Sequence, residues 1–132
     1  MSEYAKRRKL TWAQRREVYA KCRGHCAYCG CSLRYEDMQV DHVIPINGWS
    51  VKGEDTIDNM LPTCYSCNHY KARNPLESFR RMLEAQPAVL MRDSATYRIA
   101  VRYNLVIPAP KPVKFYFETM PAGQEGVEHE EP

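Results

Sequence analysis

Two cysteine pairs constrain this chain more than any other feature. Cys26-Ala-Tyr-Cys29 and Cys64-Tyr-Ser-Cys67 are C-x-x-C pairs with 34 residues between the inner cysteines. Each knuckle offers two thiolates at a spacing that bites one ion, and two knuckles complete the tetrahedral set that zinc takes. Gly24 and Gly30 flank the first pair and allow a tight backbone turn. One pair alone reads equally as a redox dithiol, whereas two pairs in a small chain favour a structural zinc held by four cysteines. Disulfides are the competing use of an even cysteine count, but the basic start, Met1 to Leu10, has no apolar region behind it to direct secretion. An intracellular, cytoplasmic chain with reduced thiols is therefore expected. Cys22 and Cys31 remain over and are expected as buried thiols. A closed four-cysteine site has no open coordination position, so any chemistry must come from other residues.

The 132 residues suit one compact domain with small additions. A composition of 44% hydrophobic and 27% charged residues excludes wholesale disorder and fibrous repeats. No run approaches the roughly 20 apolar residues that span a bilayer. The formal net charge of +3 hides a polarity along the chain. Residues 118–132 carry five Glu and no Lys or Arg, which leaves +8 on residues 1–117. A basic body with an acidic tail fits a polyanion, and nucleic acid is the default candidate.

Thr11-Trp-Ala-Gln14 has the form of a capping box, and a helix is predicted from there to about Arg23 with Trp12, Val18 and Cys22 near its inner face. Lys6, Arg7, Arg8, Lys9, Arg15, Arg16, Lys21 and Arg23 make this segment intensely basic, the pattern of a phosphate-contacting arm. Residues 24–35 are predicted as a tight knuckle. A short strand begins at Met38-Gln-Val40, Asn47-Gly48 marks a turn, and 50–58 has no clear period. Met60-Leu61-Pro62 suits a second short strand, followed by a short helix from Cys64 to about Arg73. Asn74-Pro75-Leu76-Glu77 opens another helix to about Ala85, with Leu76, Phe79 and Leu83 on its apolar face. Asp93 is the expected cap of a further helix with Tyr97, Ala100 and Val101 inward and Asn104 near its end. Val113 to Phe117 is a late strand or an extended docking segment, and the Gly/Glu-rich end from Pro121 is expected to be disordered.

Between and just after the cysteine pairs lie Asp41-His42-Val-Ile-Pro45, Asn59-Met-Leu61 and Cys67-Asn68-x-x-Lys71. This ordered string, over about residues 24–73, closely resembles the HNH endonuclease family in its zinc-containing form. The resemblance implies an α+β fold: a small ββα-metal core with a four-cysteine zinc site, flanked by an N-terminal helix and C-terminal helices. The implied organisation is a basic arm over 1–10, a single nuclease domain over 11–117 and an acidic tail over 118–132.

By the same resemblance His42 is the general base, Asp41 a ligand of a catalytic divalent metal, Asn59 the residue that braces the hairpin loop, and Asn68 the second metal ligand in an H-N-N variant. His69, next to Asn68, is the other side chain at that position that could meet the metal. The residue types agree with the chemistry. Mg²⁺ or Mn²⁺ wants oxygen ligands and keeps waters, and imidazole suits removal of a proton from attacking water. The expected products carry 5′-phosphate and 3′-hydroxyl ends. The expected partner is DNA, duplex in form, with Lys71, Arg73 and the arm Lys6, Arg7, Arg8 and Lys9 at the phosphate backbone and no membrane involved. A homodimer or a larger nucleic-acid-processing complex is open. The alternative is a zinc-stabilised nucleic-acid-binding module without hydrolysis, using Tyr28, Tyr65 and Tyr70, but pure binding has no need of Asp41, His42 and Asn68 together.

Overall fold

The computed structural model describes residues 9–49 and 51–120. Helix α1, Trp12–Ala20, starts where its cap dictates: Thr11 Oγ1 accepts from the Gln14 N–H at 3.1 Å, and Gln14 Oε1 accepts from the Thr11 N–H at 3.0 Å. It ends short of Arg23 because Arg23 and Gly24 take positive φ, 53° and 83°, and turn the chain into the first knuckle. Val18 and Cys22, four apart, are buried, but Trp12 is 68% exposed under the Arg16 guanidinium. The expectation that it faces inward is corrected by helical geometry: six residues before Val18 is about 240° round the helix.

Strands β1, Gln39–His42, and β2, Met60–Thr63, form a two-stranded antiparallel sheet in which Val40 pairs with Pro62 and His42 with Met60. Pro62 has no N–H to donate but is tolerated because β2 is an edge. Its carbonyl accepts from the Ala27 N–H at 2.8 Å, which docks the first knuckle on β2. Helix α2, Tyr65–Lys71, follows at once, with Cys64 at its N-cap. The ββα arrangement expected from the sequence is the observed one. Val18, Leu33, Met38 and Met60 make its small core.

Cations from α1 and its C-cap tie the helix to the strands. Lys21 Nζ donates to the carbonyls of Ile57 (2.6 Å) and Met60 (2.8 Å), and Arg15 Nη2 donates to that of Met38 (2.8 Å). Two members of the basic N-terminal segment therefore serve backbone carbonyls inside the fold. Lys6, Arg7 and Arg8, like the tail from Pro121, lie outside the described residues.

The chain divides into two compact units, Glu77–Val113 and the described parts of Met1–Leu76 and Lys114–Pro132. In the first of these units α3, Leu76–Glu84, buries Phe79, and Glu84 Oε2 accepts from the Val113 N–H at 2.9 Å while Arg80 donates to the Val113 carbonyl at 2.7 Å. A helix absent from the sequence reading, α4 (Gln86–Asp93), carries Pro87 in its first turn, where the missing N–H costs nothing. The cap of α5, Ala95–Arg102, is Ser94 rather than Asp93: Ser94 Oγ accepts from the Tyr97 N–H at 3.1 Å, while Asp93 closes α4 and pairs with Arg92.

Val113 to Phe115 is extended without joining a sheet, and the docking alternative is realised. Tyr116 and Phe117 donate their N–H groups to the carbonyls of Tyr28 (3.1 Å) and Ala27 (2.9 Å) at the start of α6, Tyr116–Thr119. Phe115 is fully buried, edge-on to Tyr28 with ring centroids 5.2 Å apart. Among the described residues no helix is long and apolar enough to cross a membrane.

Phe115→Ala should cost about 3–5 kcal/mol of unfolding free energy, and Trp12→Ala less than about 1 kcal/mol. Urea titration of both variants checks the contrast.

Candidate functional site

The first knuckle is shaped by two left-handed glycines, Gly24 (φ 83°) and Gly30 (φ 80°). Between them the Cys26 N–H donates to the Cys31 carbonyl and the Gly30 N–H to the Cys26 carbonyl, so the chain doubles back on itself. At the N-terminus of α2, Cys64 Sγ accepts from the Cys67 N–H. Cys26, Cys29, Cys64 and Cys67 are thereby brought together with all four sulfurs within 4.8 Å of one another. Tetrahedral bonds of 2.3 Å to zinc imply sulfur separations of roughly 3.8 Å, and Cys29 and Cys64 already stand at 3.9 Å. The donor set fits one thiophilic ion. The neighbouring Cys67 thiol lowers Cys26 from the ordinary thiol range, and Cys26 in turn raises Cys67. Cys22 is a buried thiol pushed up to about 11 by burial, as expected of an inert core cysteine. Cys31 is not buried: it lies exposed just past the turn at Gly30, which corrects the expectation.

Strand β1 carries Asp41 and His42, both 6% exposed, to a cleft of about 160 Å³ beside the sheet. Pro45, Ile46 and Asn47 line it from the following loop, and Asn68 and Arg73 from α2 and the turn beyond. Asn68 is fixed by donating Nδ2 to Gln39 Oε1 at 3.0 Å. His69 stands away from this cleft, exposed and stacked on Tyr65 with ring centroids 5.4 Å apart. Of the two neighbours it is Asn68 that shares a cavity with Asp41.

Asp41 Oδ2 accepts from the Tyr28 hydroxyl at 2.6 Å and lies 3.0 Å from Lys71 Nζ. Lys71 is fully buried and also donates to the His42 carbonyl at 3.1 Å. The expected contact of Lys71 with DNA phosphate is therefore corrected: one turn past Cys67 the helix faces the sheet, and the ammonium neutralises a buried carboxylate. Removing one member of such a pair costs about 3–5 kcal/mol. Tyr28, which the binding-module reading placed at a nucleic-acid surface, is buried as well. Burial and the adjacent carboxylate push its phenol upward, so it stays a proton donor.

His42 Nε2 is 2.8 Å from Asp55 Oδ1. An ionised carboxylate only accepts, so this contact calls for the tautomer with its proton on Nε2, which leaves Nδ1 unprotonated in the neutral ring. Asp55 was missed in the sequence because it lies in an aperiodic loop, 13 residues from His42, where spacing carries no geometry. The loop is locked by Asn59, whose Oδ1 accepts from the Ile44 N–H (2.9 Å) and whose Nδ2 donates to the carbonyls of Ile44 and Glu54, both at 2.8 Å. Gly53 makes this possible, since a Cβ there would run into the Ile44 carbonyl oxygen. A second cavity, of about 340 Å³, also reaches His42, and Asp55, Arg15 and Lys9 are among its lining residues. Arg73 lies over the exposed Trp49 ring, 4.8 Å from its centroid.

Residues 26–73 match the family model for HNH endonuclease. A 50-residue stretch is 32% identical to the CRISPR-associated endonuclease Cas9 of Corynebacterium diphtheriae, covering 38% of this chain and 4% of that protein. Among solved structures, the Type II-C Cas9 enzyme from Actinomyces naeslundii aligns with a TM-score of 0.46 at 22% identity, over 60% of this chain and 8% of that one. The chain thus spans a small fraction of the length of either.

Cys64→Ser should reduce bound metal well below one ion per chain and lower the melting temperature by at least ~10 °C, since a structural four-cysteine ion contributes folding free energy directly. Protons compete with the ion for sulfur, so metal content after dialysis should fall as pH is lowered. Elemental analysis and thermal melts check both.

Proposed function

We propose that residues 26–73, which match the HNH endonuclease family model, form a domain of that family and that the chain is a divalent-metal-dependent DNA endonuclease. Zinc fills the four-cysteine cluster and holds the fold, and each chain nicks one strand. The observation that carries the reading is the meeting of Asp41, His42 and Asn68 at one cleft, with Asp55 behind His42.

Asp41 and Asn68 offer a carboxylate and an amide oxygen, a donor set suited to Mg²⁺ or Mn²⁺. When bound, such an ion stabilises the charge that develops on the leaving oxygen. His42 Nδ1 takes a proton from the attacking water, whose oxygen bonds to phosphorus as the bond from phosphorus to the 3′ oxygen breaks. That oxygen is protonated by solvent, leaving 5′-phosphate and 3′-hydroxyl ends. Asp55 keeps the imidazole in the required tautomer and stabilises its charge after proton transfer. Asn59 holds the loop that carries these groups. Arg73, Lys9 and the arm Lys6, Arg7 and Arg8 supply backbone-phosphate contacts that position duplex DNA without choosing sequence. A double-strand break then needs a second copy or a second event, and the reduced thiols suit an intracellular setting.

Supercoiled plasmid offered to the zinc-loaded protein with Mg²⁺ or Mn²⁺ should be nicked. His42→Ala should lower the rate by ~10²-fold or more, and Asp55→Asn by roughly ten-fold or more, with little change in DNA affinity. Wild-type activity no greater than that of His42→Ala would refute the enzyme reading and leave a binding module. Deleting residues 1–9 should flatten the salt dependence of DNA binding, measured by titration over a range of salt concentrations.

A further inference from the structure

Tyr28 occupies a variable position of the first C-x-x-C pair, and nothing in the spacing gives it a task. In the fold it is held from three sides. The knuckle that contains it docks on β2 through Ala27, its own carbonyl accepts from the Tyr116 N–H, and the Phe115 and Phe117 rings pack edge-on against its ring at 5.2 and 6.2 Å. What this rigid mount presents is a hydroxyl, 2.6 Å from Asp41 Oδ2.

The second donor to the same oxygen, Lys71 Nζ at 3.0 Å, stands on α2 four residues past Cys67. Each half of the four-cysteine cluster therefore sends one donor to one carboxylate oxygen. With Oδ2 so engaged, Oδ1 is the oxygen Asp41 has left for a cation. A carboxylate held this way cannot swing between one-oxygen and two-oxygen coordination without breaking two charge-assisted hydrogen bonds.

We infer that Tyr28 is a positioning residue for cleavage, fixing Asp41 together with Lys71, and that through it the ion in the four-cysteine cluster governs the catalytic carboxylate as well as the fold. The inference rests on the reading of Asp41 as a ligand of the catalytic cation. Loss of the cluster's ion releases the knuckle, and with it the clamp on Asp41.

Tyr28→Phe removes the hydroxyl and keeps the ring. In the zinc-loaded full chain it should retain one zinc and a cooperative melting transition, lowered by no more than several degrees for the lost hydrogen bond. Its nicking kcat should fall about ten- to hundred-fold with KM for plasmid unchanged, the size of effect seen when a partner of a metal ligand is lost. A readout free of activity is the proton spectrum: the short hydroxyl–carboxylate bond should give a far-downfield resonance in the wild type. That signal should be absent from Tyr28→Phe and Asp41→Asn, and lost when a chelator strips the cluster. A Tyr28→Phe rate equal to wild type, or a variant that sheds zinc or its melting transition, would overturn the inference while leaving the nuclease reading intact. If wild type cuts no better than His42→Ala, the nuclease reading fails and takes the cleavage role of Tyr28 with it. The resonance then still decides whether the clamp exists.

Discussion

Four sulfur atoms drawn to within 4.8 Å of one another are the constraint from which the rest of the first unit follows. The core beneath them is small: Val18, Leu33, Met38 and Met60, with a two-stranded sheet of four residues per strand. A lone hairpin of that size is marginal in water. A shared ion at the cluster would tie the knuckle to the start of α2 and close the loop that contains both strands. The order of the chain then places Asp41 and His42 on β1, opposite a helix whose beginning is fixed by cysteine. Geometry suited to one ion becomes the frame for the cleft at Asp41 and His42, with no residue in common.

Cations that composition assigns to a partner turn out to be divided between two tasks. Arg15 and Lys21 satisfy carbonyls at the strand ends, and Lys71 neutralises Asp41 in the interior. Each satisfies a buried or half-buried carbonyl or carboxylate that would otherwise lack a partner. Lys9 and Arg73 remain on the walls of the two cavities that meet at His42. Not every cation counted along the sequence is therefore left to face a polyanion.

What could be read in the sequence was what depends on near neighbours or on fixed chemistry. The Thr11 cap, the C-x-x-C pairs, the order of Asp41, Asn59 and Asn68, and the two short strands all belong to that class. Trp12 was misplaced because inclusion on a helix face was judged by apolar character and not by angle. Ser94 displaced Asp93 as a cap because α4, unannounced by any clear start signal, already claimed Asp93 for its own last turn. Asp55, Tyr28 and Lys71 were out of reach for a different reason. Their partners are 13, 13 and 30 residues away, and only the docking of knuckle, loop and helix on β1 decides that these side chains meet.

The contact between Gly53 and Asn59 carries a further consequence. Asn59 Nδ2 lies where a side chain on residue 53 would begin, 2.8 Å from the position of its Cβ, and the Ile44 carbonyl crowds the same point. The bracing amide and the bare backbone are thus a single device split between two places in the chain. Neither half is diagnostic alone, since glycine and asparagine are common in loops. Together they set one constraint on the loop: a side chain at residue 53 or loss of the amide at residue 59 disturbs the same point, the Ile44 carbonyl.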